Sequence, residues 1–161
     1  MTSLDALDAR LIALFADEPR IGVLECARRL GVARGTVQAR LDKLLARGVI
    51  QGFGPQVSPA ALGFAVTAFV TLEIRQSRGH DDVAAHLVTI PEVLEVHTIT
   101  GGGDLLCRIV ARSNADLQRV IDGIVSYAGI VRASTIIALA DQIPYRVLPL
   151  VAAAAEVIHR E

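Results

Sequence analysis

The sequence is poor in the residues that stabilise small extracellular or metal-dependent folds: of 161 residues, none is tryptophan, 4% are aromatic and two are cysteines. The cysteines, Cys26 and Cys107, form neither a disulfide framework nor a zinc-binding pattern. No apolar stretch reaches the ~18–20 residues that span a bilayer, and no basic region followed by an apolar run marks a secretory signal. We therefore expect a protein of the cytoplasm without a membrane segment.

Signatures of catalysis are also lacking. The four histidines do not have the spacing of metal ligands, and the chain contains no G-x-S-x-G element, phosphate-binding loop or paired carboxylates. We predict that the chain is not an enzyme and binds neither a metal nor a cofactor.

Charge is nearly balanced, with a formal net charge of −1, but it is unevenly distributed. Residues 23–47 carry six basic and two acidic side chains, whereas residues 59–161 carry eight basic and eleven acidic ones. A basic patch on an otherwise acidic chain is typical of a small nucleic-acid-binding element. A charged segment of this kind also occurs as the solvated face of a purely structural helix, so the charge pattern alone does not establish nucleic-acid binding.

The first third of the chain shows the periodicity of three short helices. Apolar residues recur at helical spacing over residues 4–17, 23–30 and 34–47. The first helix ends before Pro19, which cannot continue the hydrogen-bond ladder, and a tight turn at Gly31 joins the second helix to the third. These features predict a helix-turn-helix. Residues 49–54 predict a short strand, or wing, that completes a DNA-binding domain over residues 1–54, followed by a linker at 55–63.

A recognition helix needs one apolar face for its own domain and one thin, polar or cationic face for a major groove ~12 Å wide. In the third helix, the small residues Gly35 and Ala39 permit close approach, and Gln38 can pair with an adenine edge. Arginines of the second helix suit the crossing of the DNA backbone. The candidate DNA-binding residues are Arg28, Arg29, Arg34, Gly35, Thr36, Gln38, Ala39, Arg40, Lys43 and Arg47. The alternative is a structural three-helix bundle with a solvated face.

Beyond residue 64 the pattern changes to an alternation of apolar and polar residues, which is typical of half-buried strands. Strands are predicted over residues 66–75, 93–100, 104–112 and 130–140. Helices are predicted over residues 79–88, 115–127 and, after Pro149, 151–159. All but the last of these elements follow the order βαββαβ of a ferredoxin-like α+β domain, which we place at residues 64–161. Such a sheet carries its helices on one face, so its other apolar face predicts pairing with a second copy.

Four motifs follow one another in this framework. They are LDALDARLI at residues 4–12, ARRLGV at 27–32, VQARLDKLLARGVI at 37–50 and ITGGGDLL at 99–106. Together with the order of the elements, they resemble the Lrp/AsnC, or feast/famine, family of bacterial and archaeal transcriptional regulators over essentially the whole chain. The resemblance implies a sequence-specific DNA-binding regulator that forms dimers and often larger assemblies such as octamers.

The resemblance also implies a small effector, usually an amino acid, held between dimers near the Gly-x-x-Asp hairpin of one subunit and the last strand of another. Carried onto this chain, the candidate effector-binding residues are His97, Gly101, Gly102, Gly103, Asp104, Ser134, Thr135, Ile136 and Ile137. Asp104 could accept from the ammonium of an amino acid, and glycine N–H groups with Thr135 could donate to its carboxylate. The alternative is a plain hairpin turn in which Asp104 bonds to its own backbone.

Some positions depart from the family pattern. Ala33 stands where a serine is common before the recognition helix, and Leu105 stands where an aromatic residue is common. Gly102 and Gly103 replace bulkier residues, which reshapes the implied pocket. A second hypothesis is therefore an architectural DNA-binding protein that uses the same scaffold without responding to a small molecule.

Overall fold

The computed structural model describes residues 4–75 and 79–156. Its elements are α1 (Ala6–Asp17), α2 (Val23–Leu30), α3 (Arg34–Ala46), a short 3-10 helix (Ala60–Leu62), β1 (Val66–Ile74), α4 (Gly79–Leu87), β2 (Val93–Thr98), β3 (Leu105–Ala111), α5 (Asn114–Val125), β4 (Ile130–Ala138) and α6 (Leu148–Glu156). They divide into two compact units. The helical unit extends to Pro55 and includes the chain from Ile143 onward, and the sheet unit comprises Gln56–Gln142. No helix in these residues is long and apolar enough to cross a lipid bilayer.

The helical unit confirms the predicted helix-turn-helix. At the start of α1, the Asp8 N–H donates to Asp5 Oδ1 at 2.8 Å and the Asp5 N–H donates to Asp8 Oδ2 at 3.3 Å, which forms a capping box. Gly31 ends α2 with a φ of 71°, a left-handed conformation that glycine adopts without steric cost and that turns the chain into α3. The core beneath these helices consists of Leu4, Leu11, Phe15, Cys26, Ala27, Leu30, Val37, Leu41 and Leu44.

The predicted strand or wing at residues 49–54 is not formed, and no strand lies in the described part of the helical unit. The N–H groups of Val49 and Ile50 both donate to the carbonyl oxygen of Leu44, at 2.9 and 3.2 Å, and so cap the end of α3. Farther along, the ring centroid of Phe53 lies 5.2 Å from that of Phe15. The segment therefore closes the helical core, and its first N–H groups are not available for a strand ladder.

The C-terminal helix also differs from the prediction in its place. The sequence predicts a single domain over residues 64–161, whereas α6 packs on α1 in the helical unit. Val151 contacts the helical core, and Ala155 is buried. The run of small alanine side chains in α6 permits this close packing, because the distance between helix axes depends on the side chains at the contact. The predicted end of this helix, residues 157–159, lies outside the described residues.

The sheet unit confirms the predicted βαββαβ order. Its strands lie in the order β2-β3-β1-β4, and each is antiparallel to its neighbours. Along β1, the residues Ala68, Val70 and Leu72 are buried, and they form one core with apolar residues of α4 and α5. Both helices therefore cover the same face of the sheet. The opposite face, which carries neither α4 nor α5, is called the open face below.

Candidate nucleic-acid interface and effector region

Helix α3 has the two faces that a recognition helix needs. Val37, Leu41 and Leu44 are buried and anchor α3 in the helical core. The exposed side, called the recognition surface below, consists of Arg34, Gly35, Thr36, Gln38, Ala39, Asp42 and Lys43. A shallow, open groove on this side is lined by Asp5, Gly35, Thr36, Ala39, Arg40 and Lys43. The small side chains on this surface allow the helix to approach the floor of a major groove closely.

Two candidate arginines of α2 are engaged by acids. Arg28 Nη2 donates to Glu25 Oε1 at 2.7 Å, and Arg29 Nε donates to the same oxygen at 2.9 Å. Arg29 also pairs with Glu18. Hydrogen bonds from Arg28 and Arg29 lower the pKa of Glu25 to about 2. Because these side chains are largely exposed, the ion pairs are weak, and a phosphate can compete for the arginines at little cost.

Arg40 is held by two carboxylates at the start of α1. From α3, its Nη1 donates to Asp8 Oδ1 at 2.7 Å and to Asp5 Oδ2 at 2.5 Å. Burial acts to raise the pKa of Asp5, but hydrogen bonds from the Asp8 N–H and from Arg40 outweigh it and lower that pKa. Asp8 is 7% exposed, and a buried carboxylate that lost its partner would be costly. Arg40 therefore holds the start of α1 to α3, and its partly exposed side chain also lines the groove on the recognition surface.

Three candidate cations form no ion pair within residues 4–75 and 79–156, namely Arg34, Lys43 and Arg47. Arg34 is the first residue of α3, which begins without a side-chain cap because Ala33 occupies the N-cap position. Lys43 lies in the last turn, and Arg47 is the C-cap residue. All three are exposed. Uncompensated positive charge thus lies at both ends of the helix, where it suits phosphates that flank a groove.

One contact on the recognition surface is absent from the sequence predictions. Gln38 Nε2 donates to Asp42 Oδ1 at 2.8 Å. The spacing of four residues is the signal that could have revealed it, because such residues are neighbours on a helix surface. Asp42 is the only acidic residue of α3. Its carboxylate, which accepts hydrogen bonds, therefore lies within a cationic surface.

The glycines of the hairpin between β2 and β3 meet different requirements. Gly101 has a φ of 113°, which favours glycine. A Cβ atom on Gly103 would lie 2.3 Å from Thr71 Cγ2 and 3.1 Å from the Leu72 carbonyl oxygen, so this position excludes a side chain. Gly102 is exposed, and a Cβ atom there would meet no heavy atom within 4 Å. Glycine is therefore favoured at 101 by the backbone conformation and at 103 by the lack of space beside Thr71 and Leu72, whereas Gly102 is under neither restriction.

Asp104 is held by β1 through both its backbone and its side chain. Its N–H donates to the carbonyl oxygen of Leu72 at 2.8 Å, and its Oδ2 accepts from the Ile74 N–H at 2.7 Å. These bonds cross to a neighbouring strand, whereas the turn alternative predicts a bond within the hairpin. One carboxylate oxygen of Asp104 is thus used to tie the hairpin to the end of β1.

The candidate residues of β4 do not share one face of the sheet. Thr135 lies opposite the buried Val70 of β1, which assigns it to the face that the helices cover. Because successive strand residues alternate between faces, Ile137 shares this face with Thr135, whereas Ser134 and Ile136 belong to the open face. These candidates therefore cannot line a single pocket within one chain.

His97 belongs to the open face together with Ser134. His97 lies opposite Leu106 of β3, and Leu106 lies opposite Thr71 of β1. Thr71 in turn lies opposite Ser134 of β4. One row of side chains thus crosses the sheet, with His97 at one edge and Ser134 at the other. His97 Nε2 lies 3.7 Å from Oε2 of Glu95, which is two residues earlier on the same strand.

Metal-ligating groups are not clustered in the described part of the chain, where no three His, Cys, Asp or Glu side chains are arranged to hold an ion. Cys26 and Cys107 are both buried free thiols. Burial raises the pKa of the Cys107 thiol to about 11, so this side chain is protonated at neutral pH. We therefore assign both cysteines to the cores of their units.

The chain matches two family models: the AsnC-type helix-turn-helix domain over residues 4–45 and the Lrp/AsnC ligand binding domain over residues 67–148. The HTH-type transcriptional regulator FL11 of Pyrococcus abyssi is 31% identical over 137 residues, which cover 85% of this chain and 90% of that protein. The structure of E. coli AsnC matches with a TM-score of 0.83 and 28% identity, covering 91% of this chain and 99% of that chain. The feast or famine regulatory protein from M. tuberculosis, complexed with L-methionine, matches with a TM-score of 0.78 and 29% identity, covering 89% and 97%.

The matched families cover both the helix-turn-helix and the sheet, and the relatives are transcriptional regulators. This confirms the expectation that the chain is not an enzyme. It also agrees with the element order and the recognition surface described above. The protein belongs to the Lrp/AsnC family of transcriptional regulators.

Proposed function

We propose that this regulator acts in the cytoplasm, binds double-stranded DNA sequence-specifically through α3, and responds to a bound amino acid by a change in assembly or operator affinity. The recognition surface is the observation that carries the DNA part. Buried apolar residues anchor α3, while small residues and uncompensated cations occupy its exposed side. This combination suits a base-reading helix better than the solvated face of a structural bundle.

The proposed contacts divide by chemistry. Gly35 and Ala39 allow close approach to the groove floor, and Thr36 and Gln38 face the base edges. The proposed phosphate contacts come from the exposed cations Arg28, Arg29, Arg34, Lys43 and Arg47. Placing Arg28 and Arg29 on α2 fits the crossing of the DNA backbone by the first helix of the motif.

We propose that the chain forms a homodimer through the open face of the sheet. Phe69 and Ile136 lie opposite each other on this face and are 39% and 69% exposed. An apolar sheet face without a helical cover is stabilised by packing on a second sheet. A dimer carries two α3 helices, which fit half-sites about one helical turn apart (~10–10.5 bp) or a multiple of it. Larger assemblies such as octamers would bring dimers together around the effector.

The proposed effector is an amino acid. The match to the ligand binding domain and the methionine complex of the M. tuberculosis relative support this class of ligand. Since Gly103 and Asp104 hold the hairpin in place, we propose that the N–H groups of Gly101 and Gly102 meet the ligand. A residue of the last strand of a neighbouring copy, from the candidates Ser134 to Ile137, would complete the contacts.

Both parts can be tested on the same purified chain. Fluorescence anisotropy with labelled random duplexes should show binding at low ionic strength that weakens steeply with salt. Light scattering with a panel of protein amino acids should show that at least one of them shifts the mass or the duplex affinity. Absence of duplex binding at low ionic strength would refute the DNA part. Duplex binding that no amino acid changes would instead favour the architectural hypothesis.

A further inference from the structure

We infer that Asp42 is a specificity-determining residue: it holds the side-chain amide of Gln38 in one orientation and thereby restricts the base that Gln38 can read. This inference rests on the proposed function and deepens it, because it names the pair of side chains that selects a base and the base that the pair selects.

The geometry of the pair is set by a single hydrogen bond. Gln38 Nε2 donates to Asp42 Oδ1 at 2.8 Å, and both side chains are exposed. A carboxylate at neutral pH can only accept hydrogen bonds, so the amide has to turn its NH2 group toward Asp42. The chemistry of Asp42 thus defines which end of the Gln38 amide is nitrogen.

The position of the pair on α3 points it at the groove. With about 100° between successive residues, derived from ~3.6 residues per turn, Asp42 lies beside Gly35 on the side opposite the buried residues, and Gln38 lies next to it. Asp42 forms no ion pair within the described residues. A carboxylate at this place repels DNA phosphates and weakens binding to any sequence. Its presence is explained if it acts on the choice of base through Gln38.

The amide offers two N–H donors and one carbonyl acceptor. Asp42 uses one N–H, and the remaining N–H and Oε1 match N7 and N6 of adenine. Guanine presents two acceptors, N7 and O6, and therefore needs two donors from one side chain. Because Asp42 occupies one N–H of Gln38, only one of the two guanine acceptors can be paired. The other would lie against the carbonyl oxygen of the amide. The pair should therefore select adenine over guanine.

Two variants separate the hydrogen bond from the charge. Asp42→Ala and Asp42→Asn both remove the negative charge, but only asparagine keeps an acceptor oxygen of the same shape. We expect both to bind random duplexes more tightly than the wild-type chain. Selection from a random duplex pool should give an adenine preference at one position of the half-site for wild type and a weaker one for Asp42→Asn, because the asparagine amide can donate to Gln38 Oε1 as well as accept from Nε2. In Asp42→Ala, the discrimination of adenine from guanine should fall about tenfold.

The chain offers a matched control on α5. Gln118 Nε2 donates to Asp122 Oδ1 at the same 2.8 Å, again four residues apart and exposed. Asp122→Ala removes the same kind of pair and the same charge from the sheet unit, and it should leave base preference unchanged. Gln38→Ala should abolish the adenine preference, and adding Asp42→Ala to it should change the preference no further.

The outcomes distinguish this inference from the proposed function. If wild type binds DNA and Asp42→Ala keeps the full preference for adenine over guanine, the inference is overturned and the DNA-binding function stands. If Asp42→Ala and Asp42→Asn tighten binding to every sequence equally and leave the preference intact, Asp42 acts only through its charge and the inference is again overturned. If the wild-type chain binds no duplex at low ionic strength, both fail. Circular dichroism verifies folding, which we expect to be unchanged because alanine favours an exposed helical position.

Discussion

Arg40 of α3 donates from Nη1 to Oδ1 of Asp8, a buried carboxylate in the first turn of α1, at 2.7 Å. The same nitrogen also donates to Asp5, the N-cap residue of α1. One guanidinium thus joins the cap of the first helix to the recognition helix, although Arg40 and Asp8 are 32 residues apart in the sequence. The contact ties α1 to α3 within the helical unit.

Arg40→Ala should destabilise the helical unit by about 2 kcal/mol, because Asp8 would remain buried without its cationic partner. Urea denaturation should show this loss. The salt dependence of duplex affinity should stay at its wild-type value under conditions where the variant is folded. Arg40→Lys should recover part of the stability, since lysine restores the charge but lacks the planar fork of donors. A reduced salt dependence with unchanged stability would show instead that Arg40 contacts phosphate.

Lys43→Ala should have the opposite effect. Lys43 is exposed and forms no ion pair in the described part of the chain, so its removal should change the unfolding free energy by less than about 0.5 kcal/mol. The slope of log affinity against log salt should fall by about one for each copy bound. Arg119→Ala, which removes an exposed cation of α5 from the sheet unit, is the control and should leave the slope unchanged. An unaltered slope in Lys43→Ala would place this residue away from the phosphates.

Neighbouring hairpin glycines should respond differently to the same substitution. Gly103→Ala places a Cβ atom 2.3 Å from Thr71 Cγ2 and 3.1 Å from the Leu72 carbonyl oxygen. The Thr71 side chain must move and the backbone at Leu72 must yield slightly, so we expect a loss of about 2 kcal/mol in the unfolding free energy. Gly102→Ala meets open space and should stay within about 0.5 kcal/mol of wild type. Equal effects in thermal or urea denaturation would contradict the steric role of Gly103.

The fold could be predicted where burial imposes a period on the sequence. Alternation through Ala68, Val70 and Leu72 indicated a strand with one buried face, and the structure has that strand. The predicted wing failed because Val49 and Ile50 are β-branched, yet their N–H groups are used by the end of α3. The place of α6 was not predictable, since its contact with α1 joins distant parts of the chain and leaves no local signal.

In the candidate sites, too, the features set by local periodicity could be predicted, whereas contacts between distant parts of the chain could not. A helical wheel is sufficient to place Gln38 and Lys43 on the exposed side of α3, and both are exposed. It cannot reveal that Arg40 is held by acids of another helix, because that contact is tertiary. The separation of Ser134 from Thr135 was available from the sequence, since consecutive strand residues face opposite sides. The resemblance to a family indicates that the last strand contributes to the effector site, but it does not say which side of the sheet the contributing residues face.

Acid should weaken the helical unit through Glu25. Hydrogen bonds from Arg28 and Arg29 lower the pKa of Glu25 from 4.5 to about 2 in the folded protein. A carboxyl group with a lowered folded pKa contributes stability that is complete above its unfolded pKa and is lost as pH falls through the folded value. The unfolding free energy from urea titrations should therefore decrease between about pH 4.5 and pH 2, and Glu25→Gln should make the decrease shallower. The slope should not vanish, because the pKa of Asp5 in the same unit is also lowered: burial raises it, but hydrogen bonds from the Asp8 N–H and from Arg40 outweigh that effect. If Glu25→Gln and wild type gave identical pH profiles, Arg28 and Arg29 would not be bonded to Glu25 when the protein is in solution.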